Sequence, residues 1–140
     1  MKIAVINGPN LNLIGNRETN IYGNQSFDQY LETLQKIFPS VDFEYFQSNI
    51  EGELINYLHQ VGFEFNGVIL NAGGYTHTSV AIGDAIAAIT SPVVEVHISN
   101  IHAREEFRKV SLISAKCKGS IAGLGLKGYE LAVRWLIENK

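Results

Sequence analysis

Ile3-Ala4-Val5-Ile6 places four apolar residues in a row, and the run breaks at once into Asn7-Gly8-Pro9-Asn10-Leu11-Asn12. An alternating run would mark a strand with one wet face. A continuous run marks a strand covered on both faces, the usual state in a parallel sheet flanked by helices. Gly67-Val68-Ile69-Leu70 reads the same way, Val93 to Ile98 is a fourth strand and Ser120-Ile121-Ala122 a fifth. Only Val41, Phe43 and Tyr45 alternate with charged partners, Asp42 and Glu44, which predicts a half-exposed edge strand.

Helical patterns fill the gaps between these strands. Ser26 with Gln29 forms a capping box, after which Phe27, Tyr30, Leu31, Leu34 and Ile37 recur at helical spacing until Pro39 stops them. Ser48 and Glu51 predict a second box leading into Leu54, Leu58 and Val61. Thr78 through Ile89, a short charged stretch from Ala103 to Lys109, and Gly128 to Ile137 read as further helices. Strands separated by helices require right-handed crossovers in a parallel sheet with helices on both faces. For five strands the flavodoxin-like order 2-1-3-4-5 fits best, because it puts the alternating second strand at an edge.

The chain has 140 residues, enough for one domain over 1–140 and too few for two of ordinary size. Eleven Lys and Arg against fourteen Asp and Glu leave a formal net charge of −3, the wrong sign for a general nucleic-acid binder. The lone Cys117 can form no internal disulfide, which suits a reducing compartment. Asn7 interrupts the first apolar run too early for a secretory signal, and no run approaches the roughly 20 residues that span a bilayer. A cytoplasmic protein bound neither to membrane nor to nucleic acid is expected.

In open α/β sheets ligands bind beyond the carboxyl ends of the strands, near the point where strand order reverses. Three segments fall there: Asn7 to Asn12, Asn71-Ala72-Gly73-Gly74, and His97-Ile98-Ser99-Asn100. In Val93-Val94-Glu95-Val96-His97-Ile98 the two polar side chains, Glu95 and His97, share a face of a strand that should be apolar throughout. Either they form a structural pair, or Glu95 supports His97 as a general acid or base at the crevice. Ile98-Ser99-Asn100 then opens the charged stretch, where backbone N–H groups could hold a carboxylate or phosphate beside Arg104 or Arg108; an ordinary Ser/Asn cap with surface arginines reads equally well. Leu13 to Gly23 is long for a strand-to-helix loop and suits a lid; it carries Arg17 and Tyr22, and a cation near a tyrosine favours the phenolate. His77 also faces the presumed crevice, with Asp84 two turns into the following helix.

Gly123-x-Gly125-x-x-Gly128 fits a dinucleotide fingerprint, but no further strand with an acidic ribose ligand follows it in the sequence. These glycines are expected to serve close strand-to-helix packing. No spacing of histidines and carboxylates suits a metal.

Together the segments resemble the type II 3-dehydroquinate dehydratases. The motifs run nearly end to end: Asn7-Gly8-Pro9-Asn10-Leu11-Asn12, Gly15-x-Arg17-Glu18-x-x-Ile21-Tyr22-Gly23, Ser48-Asn49-x-Glu51-Gly52 and Asn71-Ala72-Gly73-x-Tyr75-Thr76-His77-Thr78-Ser79. They continue through Val94-Glu95-Val96-His97-Ile98-Ser99-Asn100, Arg104-Glu105 and Gly123-x-Gly125-x-x-Gly128-Tyr129. Thr19 stands where the family commonly has proline, and Gly83 where it has a larger residue.

The resemblance implies a cofactor-free hydro-lyase of the shikimate or quinate pathway. It would convert 3-dehydroquinate to 3-dehydroshikimate by anti elimination through an enolate. It implies Tyr22 as base with Arg17 holding it as tyrosinate, Asn10 stabilising the enolate through a water, and His97 protonating the leaving hydroxyl with support from Glu95. Asn71, His77, Ile98, Ser99 and Arg108 would bind substrate. Asp84 would reach a neighbouring subunit's site, in a dodecamer built from trimers. Two rivals on the same fold are a flavin or nucleotide carrier and a signalling receiver domain. Pro9 removes a phosphate-facing N–H that the first would want, and Asn7, Asn10 and Asn12 stand where the second needs aspartates.

Overall fold

The computed structural model describes residues 1–16 and 24–140. Its five strands are β1 (Lys2–Asn7), β2 (Asp42–Gln47), β3 (Gly67–Asn71), β4 (Val93–His97) and β5 (Gly119–Ala122). They form one parallel sheet in the order β2-β1-β3-β4-β5, the order expected from the sequence. Four α-helices are described: α1 (Phe27–Ile37), α2 (Glu51–Val61), α3 (Val80–Ala88) and α4 (Lys127–Glu138).

The period-2 geometry of the strands divides the core in two. Ile3, Val5, Ile69, Val94 and Val96 face α1 and α4, packing on Leu34, Tyr129, Val133 and Leu136. Ala4, Ile6, Val68, Leu70 and Val93 face the other way, onto Leu54, Leu58, Val61, Ile82 and Ile86 of α2 and α3. Every residue of β3 and β4 is buried, which is why those runs show no polar alternation except Glu95 and His97. Strand β2 does lie at an edge, though past exposed Asp42 its residues are all half-buried rather than cleanly alternating. Phe43 and Tyr45 lean on one core and Phe46 on the other.

Local chemistry explains the element ends. Ser26 and Gln29 make the reciprocal capping box: Gln29 N–H donates to Ser26 Oγ at 3.3 Å and Ser26 N–H to Gln29 Oε1 at 3.1 Å. The second box does not form. Ser48 Oγ instead accepts from Ile50 N–H at 3.0 Å and donates to Glu53 Oε1 at 2.6 Å, so Ile50 is the residue at the α2 boundary. Helix α3 begins at Val80, capped by Ser79 through Ile82 N–H at 2.9 Å, two residues later than the pattern from Thr78 suggested.

The stretch Ala103 to Lys109 is not one helix. It is two 3₁₀ turns, Ile101–Ala103 and Glu106–Lys109, parted by extended backbone at Arg104. Asn100 Oδ1 takes the His102 N–H at 3.1 Å, and so short a segment cannot repay the nucleation cost of an α-helix. Of the three fingerprint glycines only Gly128 serves strand-to-helix packing; Gly123 and Gly125 instead take positive φ, 87° and 64°, and a Cβ on Gly125 would meet nothing within 4 Å. A Cβ on Gly128 would sit 3.2 Å from Val96 Cγ1 and 3.4 Å from Ile121 Cγ2, so α4 rides close against β4 and β5. Among the described residues no helix is long and apolar enough to cross a membrane.

Candidate active site

The three loops do converge. Pro9, Asn10 and Leu11 after β1, Asn71, Gly73, Gly74 and His77 after β3, and His97, Ile98, Ser99 and Ile101 after β4 line one cleft of about 140 Å³. Leu13 and Ile14 add apolar wall, and Arg104 and Arg108 add positive charge.

Close backbone approach makes this convergence possible. Gly8 N–H donates to Asn71 O at 2.8 Å, and a Cβ on Gly8 would lie 2.5 Å from Ala72 O. No other residue allows the loops after β1 and β3 to touch there. Asn10 takes a left-handed conformation, φ 69°, which asparagine tolerates better than most side chains, and its N–H is held by Asn49 Oδ1 at 2.9 Å.

Asn7 and Asn71 are register partners at the ends of β1 and β3. The buried hydroxyl of Tyr129 joins them, donating to Asn7 Oδ1 at 2.7 Å and accepting from Asn71 Nδ2 at 3.0 Å. Asn71 Oδ1 in turn accepts the Gly73 N–H at 3.2 Å, so the amide is held at both ends. Burial pushes the Tyr129 phenol far up; it is a neutral hydrogen-bonding bridge rather than an acid.

On the opposite face of the sheet, His97 Nε2 lies 2.8 Å from Glu95 Oε1. Glu95 is fully buried and His97 nearly so. Burial alone would push the Glu95 carboxyl up, but hydrogen bonds from His97, Ser114 and Ser120 outweigh it and hold the group at about 2. The carboxylate is therefore an anion at neutral pH. With Nε2 committed to Glu95, Nδ1 is the His97 nitrogen that can exchange a proton with a ligand. His77 lies beside it, ring centroids 6.3 Å apart and planes at 26°. Its Nδ1–H donates to Val110 O at 2.7 Å, which leaves Nε2 for the cleft.

Ser99 Oγ accepts from Arg104 Nη1 at 3.2 Å, and Arg108 Nε reaches Glu105 Oε2 at 2.5 Å. Two imidazoles, two guanidiniums and two side-chain amides thus surround a small polar cavity with no carboxylate among its described lining residues. Such a lining suits a compact, oxygen-rich anion and a reaction that moves protons.

The sequence model of the family described as dehydroquinase class II matches residues 1–137. The chain belongs to that family. The 3-dehydroquinate dehydratase of Fusobacterium nucleatum is 57% identical, covering 99% of this chain and 97% of its own. That of Clostridium perfringens is 50% identical over 100% of this chain and 99% of its own. The crystal structure of the type II dehydroquinase from Butyrivibrio crossotus superposes with a TM-score of 0.94 at 45% identity, covering 98% of this chain and 97% of that one. A flavin carrier and a receiver domain are thereby displaced as readings of the fold.

Within this class II dehydroquinase, the cleft gathers Asn10, Asn71, His77, His97, Ile98, Ser99 and Arg108, with Glu95 hydrogen-bonded to His97. Arg17 and Tyr22 lie outside the described residues. Asp84 is exposed on α3 and is not among the residues lining this chain's cleft. Arg104, which the sequence offered only as an alternative to Arg108, lines the cleft too. Sequence reasoning missed Ser111, Ser114 and Ser120, whose hydroxyls all reach Glu95. The one signal was indirect: a carboxylate on a buried strand must find donors, but local spacing does not say which residues supply them.

Proposed function

We propose that this class II dehydroquinase converts 3-dehydroquinate to 3-dehydroshikimate and water by anti elimination through an enolate. The observation that carries the reading is the His97–Glu95 pair beside His77 in a cleft edged by Arg104 and Arg108. The family and the names of the relatives supply the substrate; the residues supply a chemistry that suits it.

A proton alpha to a ketone is weakly acidic, so the site needs a base and a means of stabilising the developing enolate. Tyr22, held as phenolate by Arg17, removes that proton. Asn10 stabilises the enolate oxygen through a water. His97 then passes the proton on Nδ1 to the departing hydroxyl, and the Glu95 carboxylate on Nε2 stabilises the imidazolium until it does. Asn71, His77, Ile98, Ser99 and Arg108 hold the substrate, its carboxylate on the N–H groups of Ile98 and Ser99. No cofactor or metal takes part.

The working form is an oligomer, a dodecamer of trimers, in which Asp84 serves a neighbouring subunit's cleft. The protein works in the cytoplasm, on the shikimate or quinate route.

The product is a conjugated enone, so adding 3-dehydroquinate to the purified protein with chelator present produces a rise in ultraviolet absorbance. A flat trace from folded protein at saturating substrate overturns the proposal. Light scattering on the same sample reads the assembly.

A further inference from the structure

Ser111, Ser114 and Ser120 have no part in the chemistry above, yet all three hydroxyls converge on one buried carboxylate. Ser120 stands directly across from Glu95 in the β4–β5 register. Its hydroxyl and that of Ser114 both donate to Glu95 Oε2. Ser111 donates to Oε1 at 2.9 Å, the same oxygen that His97 Nε2 contacts. The Ser111 oxygen is itself fixed, accepting N–H bonds from Ile113 at 3.2 Å and Ser114 at 3.0 Å. Among the described residues Cys117 also feels the Glu95 charge; burial and that charge push its thiol up to about 12, so it stays neutral.

The residues on either side of Ser111 are tied to the same site. Val110 O takes the His77 Nδ1–H, and Leu112 N–H donates to Thr76 O at 2.8 Å, next to His77. Three consecutive residues thus bind the His77 imidazole, the carboxylate that holds His97, and the turn that carries His77.

We propose that Ser111, Ser114 and Ser120 are positioning residues, and that the strap Val110–Leu112 fixes which nitrogen each imidazole turns to the cleft. The inference rests on His97 acting as the acid of the elimination. A carboxylate held through one oxygen could rotate and let His97 present either nitrogen. With Oε2 bonded twice and Oε1 bonded to Ser111, the lone pair facing His97 keeps one direction. That commits Nε2 to Glu95 and Nδ1 to the ligand. The same strap does the converse for His77, taking Nδ1 and leaving Nε2.

Ser111→Ala, Ser120→Ala and the hydroxyl-preserving Ser111→Thr test this. Ser111→Ala also strips two backbone N–H groups of their acceptor, so Ser120→Ala, on an edge strand, is the safer variant should the first not fold. Loss of one charge-assisted donor lowers kcat about tenfold. KM stays within about twofold because no substrate contact is touched. Ser111→Thr recovers most of the rate. Independently of turnover, ¹⁵N spectra of the neutral rings show His97 as a single tautomer protonated on Nε2 in the parent, and as a tautomer mixture in Ser120→Ala. Folded variants with parental kcat and an unchanged His97 tautomer overturn the inference. Should the parent leave 3-dehydroquinate untouched, the proposed function falls, while the tautomer spectra still decide the role of the serines.

Discussion

His97 and Glu95, two residues apart on β4, meet at 2.8 Å behind the cleft, and Glu95 exposes no surface of its own. A carboxylate so placed is tolerable only because each oxygen is hydrogen-bonded; alone it would cost more than the fold could spare. The pair also ties stability to chemistry, because the bonds that keep Glu95 ionised are those that orient His97.

One consequence is a defined acid limb of stability. The Glu95 carboxyl sits at about 2 in the fold against an ordinary 4.5. Below 4.5 the unfolded chain takes up a proton that the folded chain still refuses, so stability falls as pH drops toward 2 and is intact above 4.5. Thermal melts from pH 7 downward should show this loss. In Glu95→Gln the melting temperature is lower at neutral pH, and the decline across that window is shallower. An unchanged slope in the variant would assign the acid limb to other carboxylates.

The Tyr129 hydroxyl bridges Asn7 and Asn71 inside the core. Tyr129→Phe leaves Asn7 Oδ1 and Asn71 Nδ2 without that partner in a buried site. The expected cost is about 1–3 kcal/mol of unfolding free energy, read by denaturant titration. Because Asn71 lines the cleft, KM for 3-dehydroquinate should rise several-fold while kcat changes less. Parental KM and stability would mean that the two amides re-pair directly.

Gly8 tests the meeting of the loops. In Gly8→Ala the new methyl would stand 2.5 Å from the Ala72 carbonyl oxygen, a backbone atom that cannot swing aside. The loops after β1 and β3 must part, at about 1–3 kcal/mol and with loss of affinity for substrate. Gly52→Ala, where a Cβ meets nothing within 4 Å, is the control and should be neutral or slightly stabilising in its helix. Equal melting temperatures for the two variants would refute the close-approach argument.

Much of this was legible in the sequence because periodicity reports burial. Continuous runs such as Ile3 to Ile6 gave parallel strands, and the half-polar run at Val41 to Tyr45 gave an edge. Glu95 and His97 stood out because polar groups on a doubly covered strand contradict its environment. Less visible was anything set by competition among short-range bonds. Ser48 found Ile50 rather than Glu51, and Asn100 turned the charged stretch into two 3₁₀ turns. The serines at 111, 114 and 120 were invisible for another reason: their shared target lies on a different element, 16, 19 and 25 residues away, and no local pattern reports such a meeting.

The division of labour between base and acid gives the last prediction. Tyr22→Phe deletes one oxygen and the only phenol proposed to take the alpha proton, while every described cleft residue stays in place. His97→Ala instead removes the group proposed to protonate the departing hydroxyl. If the two act on successive steps of one elimination, each substitution lowers kcat about a hundredfold or more in a protein whose circular dichroism and melting curve remain those of a folded domain. The two differ in what survives. Tyr22→Phe should also lose exchange of the substrate's alpha proton with deuterated solvent, because no base forms the enolate. His97→Ala should retain that exchange, because the enolate still forms and waits for an acid. The enone absorbance and the solvent-exchange signal, followed together, separate the roles. Exchange that persists in Tyr22→Phe, or vanishes only in His97→Ala, would reverse the assignment of base and acid.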